Sequence, residues 1–195
     1  MLSIKSIYAI VFSSLAGWAL FSYFTTTEII VSQKEYANAI NIAGKQRMLS
    51  QITAFFAKRF FEEKKPDQKQ HLRSLIDQMK NDHDHIVKYH VNTKKTFLIY
   101  HKEPLSLNIR VNAYLNLLYS FIDKPEINKI KEIQDYSFRL LPTLDAAVSV
   151  LEDESNEKTA LLMERELFIL LGTLLTLLVE AVFIVMPSIR QASRH

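Results

Sequence analysis

Asn-Ile-Ala-Gly-Lys-Gln-Arg-Met-Leu-Ser-Gln, residues Asn41 to Gln51, lies within a long run of helical periodicity that no proline or turn motif interrupts. Gly44 is the only glycine outside the two apolar segments of the chain, and Arg47 follows it by one helical turn. Glycine inside a helix costs about 1 kcal/mol relative to alanine, so its presence needs a compensating reason. The usual reason is close approach of another backbone or of a small ligand.

The composition of the whole chain agrees with a helical class. The 195 residues include three glycines and five prolines, too few turn residues for a protein rich in strands and loops. No cysteine is present, which excludes disulfides, thiolate metal sites and cysteine nucleophiles but does not decide the compartment. We therefore expect an all-α protein.

Helical periodicity continues from the first apolar segment to about Lys64, where Pro66 stops it. The pattern then predicts a second helix, for which Asp67 can serve as the cap, followed by a loop over Asn92 to Glu103. A third helix is predicted over about Leu105 to Ile122. The fourth has Pro125 in its first turn and a kink at Pro142. Two long outer helices joined by a shorter helical pair predict an antiparallel four-helix bundle.

Two apolar segments flank this predicted bundle. Residues 7–24 carry no charge, and residues 167–186 carry a single one, Glu180. At 1.5 Å per residue each segment spans about 27–30 Å, the thickness of the hydrocarbon core of a bilayer. The first segment lacks a clear small-x-small cleavage site, so we expect an uncleaved anchor and not a signal peptide.

Two membrane-spanning helices place both termini on one side of the membrane and residues 25–166 on the other. Lys5 lies in the first tail, residues 1–6, and Arg190 and Arg194 lie in the second, residues 187–195, so the positive-inside rule puts both tails in the cytoplasm. The basic pI of about 9.0 reflects these tails. No basic stripe with interleaved aromatics occurs, so nucleic acid is not an expected partner.

The first outer helix has two distinct faces when projected at 100° per residue. One face predicts an ordinary core stripe of Ile42, Leu49, Ile52, Phe56 and Phe60. The opposite face is small and semi-polar, and it surrounds Arg47 with Tyr36, Ile40, Ala43, Gly44, Ser50, Gln51 and Ala54. Small residues allow two helices to approach closely, so this second face predicts a dimer seam in which helix 1 meets helix 1 of a second copy.

A two-fold axis beside Arg47 would bring two guanidinium groups together. Like charges in a partly dry seam repel unless an anion lies between them, and the planar guanidinium matches planar oxyanions in two-point contact. We therefore predict a small anion, such as nitrate, nitrite or a carboxylate, at the subunit interface. The alternative is that Arg47 is solvated or pairs with an acidic residue on a neighbouring helix, which is the usual state of a protein arginine.

The motif resembles the N-terminal sensor domain of PilJ-type methyl-accepting chemotaxis transducers, and it is similar to the corresponding box of nitrate/nitrite sensor histidine kinases. The family pattern Ile-Asn-x-Ala-Gly-x-x-Arg-Met is matched by Ile40, Asn41, Ala43, Gly44, Arg47 and Met48. The later segments Leu140 to Leu144 and Glu180 to Phe183 also resemble the fourth helix and second span of the family.

The resemblance implies a periplasmic four-helix bundle in a bacterial inner membrane, dimerising through helix 1 and binding a nitrate-like anion. Arg47 would be the main ligand, aided by Ala43, Gly44 and Ser50. Upstream, Tyr36-Ala37-Asn38 lacks the acidic residue often seen in the nitrate-sensing branch, and Lys45-Gln46 is the PilJ-like version of the box. Ligand binding in such a domain would shift helix 1 relative to helix 4.

The nine residues after the second span are too few for an output domain. Three explanations are open: a stand-alone module that signals through a separate output protein or receptor, a remnant of a longer receptor, or a shortened chain. The second functional hypothesis is a non-sensing interaction module that dimerises with receptors through the same seam. Glu180 is expected to hydrogen-bond within the membrane, to Thr173, Thr176, Ser13 or Ser14.

The histidine-rich stretch Asn81 to His85, together with His90, is the remaining candidate for site chemistry. His83 and His85 lie on different faces of a regular helix, and His83 and His90 are two turns apart, so the spacing suits a metal site poorly. We expect a solvated face there, with no metal or cofactor. No nucleophile with a base, phosphate loop or paired carboxylates is recognisable, so we expect no enzyme activity.

Overall fold

A computed structural model of the chain describes residues 4–182. Across that range the backbone forms helices and no strand, which confirms the all-α prediction. The helices are α1 (Ile4–Glu63), α2 (Pro66–Tyr89), α3 (Lys94–His101), α4 (Leu107–Asp123) and α5 (Ile127–Glu180).

Internal contacts divide the chain into two compact units. The central unit comprises Glu35–Glu154, and the terminal unit comprises the described residues up to Lys34 together with those from Ser155 onward. Helices α1 and α5 contribute residues to both units, whereas α2, α3 and α4 belong to the central unit alone.

The turn between α1 and α2 uses the predicted proline. Lys64 adopts a left-handed conformation with φ of 51°, and Pro66 then occupies the first turn of α2, where its missing N–H is not needed. The helix boundary residue is Lys65, whose side chain makes no capping hydrogen bond, and Asp67 lies in the first turn. The prediction that Asp67 caps α2 was therefore wrong, although its charge still suits the positive end of the helix.

The predicted loop over Asn92 to Glu103 contains a short helix, α3 (Lys94–His101). A capping box starts this helix: Thr93 Oγ1 accepts from the Thr96 N–H at 3.1 Å, and the Thr93 N–H donates to Thr96 Oγ1 at 3.2 Å. Thr96 and Tyr100 are buried, so packing against the rest of the central unit stabilises α3 in addition to the capping box. The weak periodicity of eight residues did not reveal this helix.

The last two helices begin slightly later than predicted. Ser106, with φ of 41°, precedes α4, and Pro125 lies two residues before α5 and outside its first turn. Helix α5 continues through Pro142.

The buried face of α1 in the central unit consists mainly of small and polar side chains and coincides with neither of the two predicted faces. Its members recur at alternating spacings of three and four residues: Ala39, Ala43, Gln46, Ser50, Thr53, Ala57 and Phe60. In the predicted core stripe, Leu49 and Phe60 are buried, but Ile42, Ile52 and Phe56 are only half-buried. Small side chains on α1 leave room for larger ones from the other helices, including Leu72, Ile76, Met79, Leu115, Leu118, Phe121, Ile133 and Leu140.

The polar members of this face form hydrogen bonds to the neighbouring helices. Gln46 Nε2 donates to the carbonyl oxygen of Met79 on α2 at 2.9 Å. The Tyr114 hydroxyl, on α4, donates to the carbonyl oxygen of Ser50 at 2.8 Å and lies 2.9 Å from Thr53 Oγ1. Burial raises the pKa of Tyr114, so the hydroxyl keeps its proton and remains a donor.

In the terminal unit, α1 and α5 contact each other through polar side chains set among apolar ones. The Ser14 hydroxyl donates to Glu180 Oε1 at 2.5 Å, which is one of the partners expected for this carboxyl group. One level further along, Trp18 Nε1 donates to Thr176 Oγ1 at 3.1 Å. The indole ring covers Gly172 so closely that a Cβ atom there would lie 2.5 Å from Trp18 Cη2.

The same contact continues beyond the apolar part of the two helices. Ser22 and Thr26 both donate to Glu166 Oε1, at 2.9 and 2.7 Å. Glu28 then pairs with Lys158 at 3.0 Å and with Arg165. These two cations lower the pKa of Glu28. Side chains on successive turns thus join the two helices of the terminal unit.

The outward surface of the terminal unit is apolar. Large side chains are strongly exposed there, among them Tyr8, Phe12, Phe24, Phe168 and Leu175 at 64–75%. One described helix is long and apolar enough to cross a membrane; the segment identified is Tyr8–Glu63, and 6% of its most apolar window is buried. The predicted second span ends at Met186, and its last four residues, like the tail 187–195, lie outside the described residues.

Candidate functional site

The motif Asn41 to Gln51 lies in the middle of α1, entirely within the central unit. The helix separates its residues onto two sides. Gly44 and Arg47 face outward, half-buried and exposed respectively, whereas Ala43 and Ser50 are 2% and 0% exposed. The four residues predicted to bind an anion therefore do not share one surface in this chain.

The Arg47 guanidinium has an acidic partner on α5. Its Nη1 donates to Asp145 Oδ1 at 2.6 Å, and the two side chains are 45% and 50% exposed. An ion pair this exposed contributes about 0–1 kcal/mol because water screens both charges. This geometry corresponds to the alternative in which Arg47 pairs with an acidic residue on a neighbouring helix. The contact occupies only one of the five N–H donors of the guanidinium.

Gly44 leaves an open space beside the arginine. A Cβ atom added at Gly44 would have no other atom within 4 Å outside its own helix backbone, so no second backbone of the chain approaches it. The helical propensity cost of this glycine is therefore not explained by packing in the described part of the chain. The gap next to Arg47 is accessible to a ligand or to another molecule.

The Ser50 side chain is occupied inside the unit. Its hydroxyl donates to the Arg47 carbonyl oxygen at 2.8 Å, and its own carbonyl oxygen accepts from Tyr114. Ser50 therefore positions the turn of α1 that carries Arg47, and its hydroxyl does not face the surface.

The residues of the predicted dimer seam divide in the same way. Ala43, Ser50 and Ala54 are buried among the helices of the central unit, and Tyr36 and Ile40 are half-buried. Arg47 and Gln51 are exposed, and Gly44 is half-buried like Tyr36 and Ile40. A small face is equally suited to a dimer and to a tight core, and the chain uses three residues of this one for its own core.

The outer surface of α1 carries apolar residues that sequence reasoning did not select. Met48 and Phe55 are 50% and 60% exposed, and Phe138 on α5 is 75% exposed. Phe55 and Phe138 line a groove of about 570 Å³ between these two helices. The seven-residue spacing of Met48 and Phe55, which places both on one side of a helix, was the available signal in the sequence.

The histidine stretch on α2 differs from the predicted solvated face. His83 is 1% exposed, its Nε2 lies 2.9 Å from Asn108 Oδ1, and its ring stacks on Tyr100. Burial lowers the pKa of His83, so the imidazole is neutral near pH 7. Among residues 4–182 no group of three or more histidine, aspartate or glutamate side chains is arranged to hold a metal ion.

The outward Gly44–Arg47 turn lies within the segment that known proteins identify. Residues 29–98 match the family model of the PilJ type IV pili methyl-accepting chemotaxis transducer N-terminal region. The PilJ-type resemblance is confirmed. The matched segment extends from α1 through α2 into α3, so it includes both the Arg47 motif and the buried His83. No curated protein and no solved structure matches the chain.

The PilJ match identifies a sensing and signalling type of domain. It covers the helices that carry Arg47 and leaves α4 and α5, including Asp145, outside the matched residues. The match does not extend to a relation with nitrate sensors, to an anion or to a dimer.

Proposed function

We propose that this chain is a membrane-anchored sensor module of the chemotaxis-transducer type. Residues 25–166 would form a periplasmic antiparallel four-helix bundle, residues 7–24 and 167–186 two membrane-spanning helices, and both tails would be cytoplasmic. The PilJ match over residues 29–98 is the observation that supports this function. The exposed apolar surface and the lengths of the two apolar segments support the membrane anchors.

The proposed ligand is a nitrate-like anion bound at Arg47. Two features of the geometry support it: the guanidinium is exposed with most of its N–H donors available, and Gly44 leaves space one turn away. Asp145 competes with any anion, but the exposed pair is weak and exchanges at little cost. Ala43 and Ser50 are retained as buried neighbours that hold this turn in place.

A homodimer is proposed to complete the site. In a pair related by a two-fold axis through the outer surface of α1, two Arg47 side chains would face one anion, and Met48 and Phe55 would gain apolar contacts. Two exposed aromatic and sulfur-containing side chains on one helix favour such a partner, because large exposed apolar side chains clustered together mark interaction surfaces.

The alternative function is an interaction module that associates with receptors and senses nothing itself. The Arg47–Asp145 pair favours this alternative, since it neutralises the guanidinium without any ligand. In that case the Gly44 gap and the exposed Phe55 and Phe138 would accept another protein's helix 1.

Titration calorimetry of the full chain in nanodiscs with nitrate and nitrite tests the anion. We expect saturable binding near one anion per two chains, lost in Arg47→Ala. Asp145→Asn should strengthen binding up to about fivefold, which is the 0–1 kcal/mol of an exposed pair. Arg59→Ala is the matched control, because Arg59 also lies on α1, pairs with Glu63 at 2.7 Å and is 44% exposed.

Sedimentation of the same variants in detergent separates the two functions. If the protein stays dimeric while Arg47→Ala abolishes anion binding, the sensor is supported. If no variant binds either anion but Arg47→Ala prevents association, the interaction module is the better description.

A further inference from the structure

A second cavity lies in the central unit, away from Arg47. It encloses about 390 Å³ and is lined by Glu35, Tyr36, Tyr89, His90, Asn92 and Leu151. Glu35 is twelve residues before Arg47 on α1, or about 18 Å along the helix axis. The two sites are therefore separate.

The cavity has one acidic side chain, that of Glu35, which is an exposed residue. Within residues 4–182 the Glu35 carboxylate has neither a hydrogen bond nor an ion pair, and no lysine or arginine lines the cavity. His90 does not supply the missing positive charge, because burial and the nearby His85 lower its pKa, an effect that Glu35 only partly opposes. An anionic ligand is disfavoured in these surroundings, whereas a cation is attracted.

Aromatic rings form two of the cavity walls. Rings attract cations on their faces. Lys88 Nζ lies 4.8 Å from the centroid of the Tyr89 ring and occupies one of its two faces, which leaves the other face for a ligand. Tyr36 adds a second ring, and Leu151 gives an apolar floor for an alkyl chain. A carboxylate beside aromatic and aliphatic walls is the composition that recognises an organic ammonium group.

Buried acceptors beside the cavity also lack donors. Glu154 lies one turn after Leu151 on α5, is 6% exposed and accepts a hydrogen bond from Thr93, the neighbour of the cavity residue Asn92. In the described part of the chain nothing hydrogen-bonds to its Oε2 or to the buried Nε2 of His90. Buried acceptors are normally satisfied, so a ligand with several N–H donors would complete this set.

We propose that this cavity binds a small primary amine, with the ammonium group on Glu35 and the alkyl chain between Tyr36, Tyr89 and Leu151. The cavity volume falls within the range of small-molecule sites. This site is independent of the anion at Arg47. A sensor with both sites would respond to two ligands of opposite charge.

Saturation-transfer NMR on the full chain in nanodiscs, with n-propylamine as the probe, tests the proposal. Propanol and propionate are the matched neutral and anionic probes. We expect saturable binding of propylamine at one site per chain and none of propionate. Glu35→Gln should weaken propylamine binding at least tenfold, while Glu62→Gln, an exposed glutamate elsewhere on α1, should leave it unchanged.

Any of four outcomes would overturn the proposal. Equal binding of propanol would mean that the site recognises only the alkyl chain. An unchanged affinity in Glu35→Gln, or no propylamine binding by the folded wild type, would remove the amine site. Zinc binding that depends on His85 and His90, without amine binding, would reassign the cavity to a metal. Arg47→Ala should not alter propylamine binding. A negative result for the amine would therefore leave the proposed anion site untouched, and a negative result for the anion would leave the amine site untouched.

Discussion

Arg47 and Gly44 lie on one turn of α1 and differ in their contacts with the rest of the chain. The Arg47 side chain pairs with Asp145, which lies 98 residues later in the chain. The attraction between two exposed charges is weak, so it barely offsets the side-chain entropy lost in forming the pair. Among the described residues, no atom outside the immediate neighbours and the backbone of α1 would lie within 4 Å of a Cβ atom on Gly44. Packing against that part of the chain therefore does not offset the helix-propensity cost of this glycine.

The first prediction concerns Gly44→Ala. No atom clashes with the added Cβ, so the change should raise the free energy of unfolding by about 0.5–1 kcal/mol through helix propensity. If the gap is functional, the same variant should lose anion binding or self-association. Denaturation followed by circular dichroism measures the first effect and calorimetry the second. Gly17→Ala, also free of clashes, is the control outside the motif; a destabilised Gly44→Ala would show that the gap is not empty.

His83 carries a second residue-scale consequence, because it is buried in a neutral form. The side chain is 1% exposed and stacks on Tyr100, so desolvation is the largest effect on its pKa and lowers it. The hydrogen bond to Asn108 and the charge of Asp84 act in the opposite direction and raise the pKa. Lys80 and His101 add smaller effects that lower it.

The second prediction is that acid destabilises the central unit through His83. Above the ordinary pKa of 6.5 both folded and unfolded chains hold neutral imidazole, so stability is complete. Below it the unfolded chain gains a proton that the folded one refuses, and stability falls by up to about 1.4 kcal/mol per pH unit until the lowered folded pKa is reached. Unfolding at pH 7.5, 6.5 and 5.5 should show a steeper loss for the wild type than for His83→Gln. Parallel curves would contradict the assignment.

At the scale of elements, α1 differs along its length in what it buries. In the central unit the buried face of α1 is hydrogen-bonded to α2 through Gln46 Nε2 and the Met79 carbonyl oxygen, and to α4 through the Ser50 carbonyl oxygen and Tyr114. In the terminal unit the same helix contacts α5 through Ser14, Trp18 and Ser22. Small and hydroxyl-bearing residues suit the contacts of α1 in both units. Their size lets two helix backbones approach closely, and their hydroxyl groups form hydrogen bonds in place of those to water.

The third prediction tests the contact between the two apolar segments. Gly172→Ala places a methyl group 2.5 Å from Trp18 Cη2, so the indole must move and lose its hydrogen bond to Thr176. Overpacking of this kind costs about 1–3 kcal/mol. Trp18 is the only tryptophan, so its fluorescence reports the displacement directly. We expect a shifted emission maximum and lower thermal stability in Gly172→Ala, and neither change in Gly17→Ala, where the added methyl meets nothing.

At the scale of the molecule, the two units have different surfaces. The terminal unit exposes many phenylalanine and leucine side chains. Their exposure is unfavourable in water but not in lipid, because apolar surface is stabilised in an apolar environment. The central unit has a buried core of large apolar residues, although Met48, Phe55, Ile109 and Phe138 are among those exposed by half or more. We propose that the difference between the two units corresponds to a membrane part and an aqueous part.

The fourth prediction concerns topology. The chain has no cysteine, so single substitutions can be labelled without background. A membrane-impermeant maleimide should modify Lys69→Cys, an exposed position on α2, in cells whose outer membrane is permeabilised. Ala192→Cys in the predicted cytoplasmic tail should react only after lysis. Reaction of both in unlysed cells would exclude two membrane crossings with internal termini.

Several features followed from the sequence because they depend on local composition. The scarcity of glycine and proline, the uninterrupted 3.6-residue periodicity and the uncharged run of residues 7–24 predict helices and an apolar anchor without reference to any partner. The Ile40 to Met48 motif likewise identified the PilJ-type segment, since a motif within one helix is read from adjacent residues.

Which face of α1 is buried was decided only by the tertiary structure. A face of alanine, serine and threonine fits a tight core as well as a dimer seam, and the large residues of α2, α4 and α5 that fill the space beside it lie far away in sequence. The same holds for the partner of Arg47 and for the burial of His83. Side-chain environment is set by long-range neighbours, whereas helix formation is set mainly by nearby ones, which is why the helices were predictable and the site's surroundings were not.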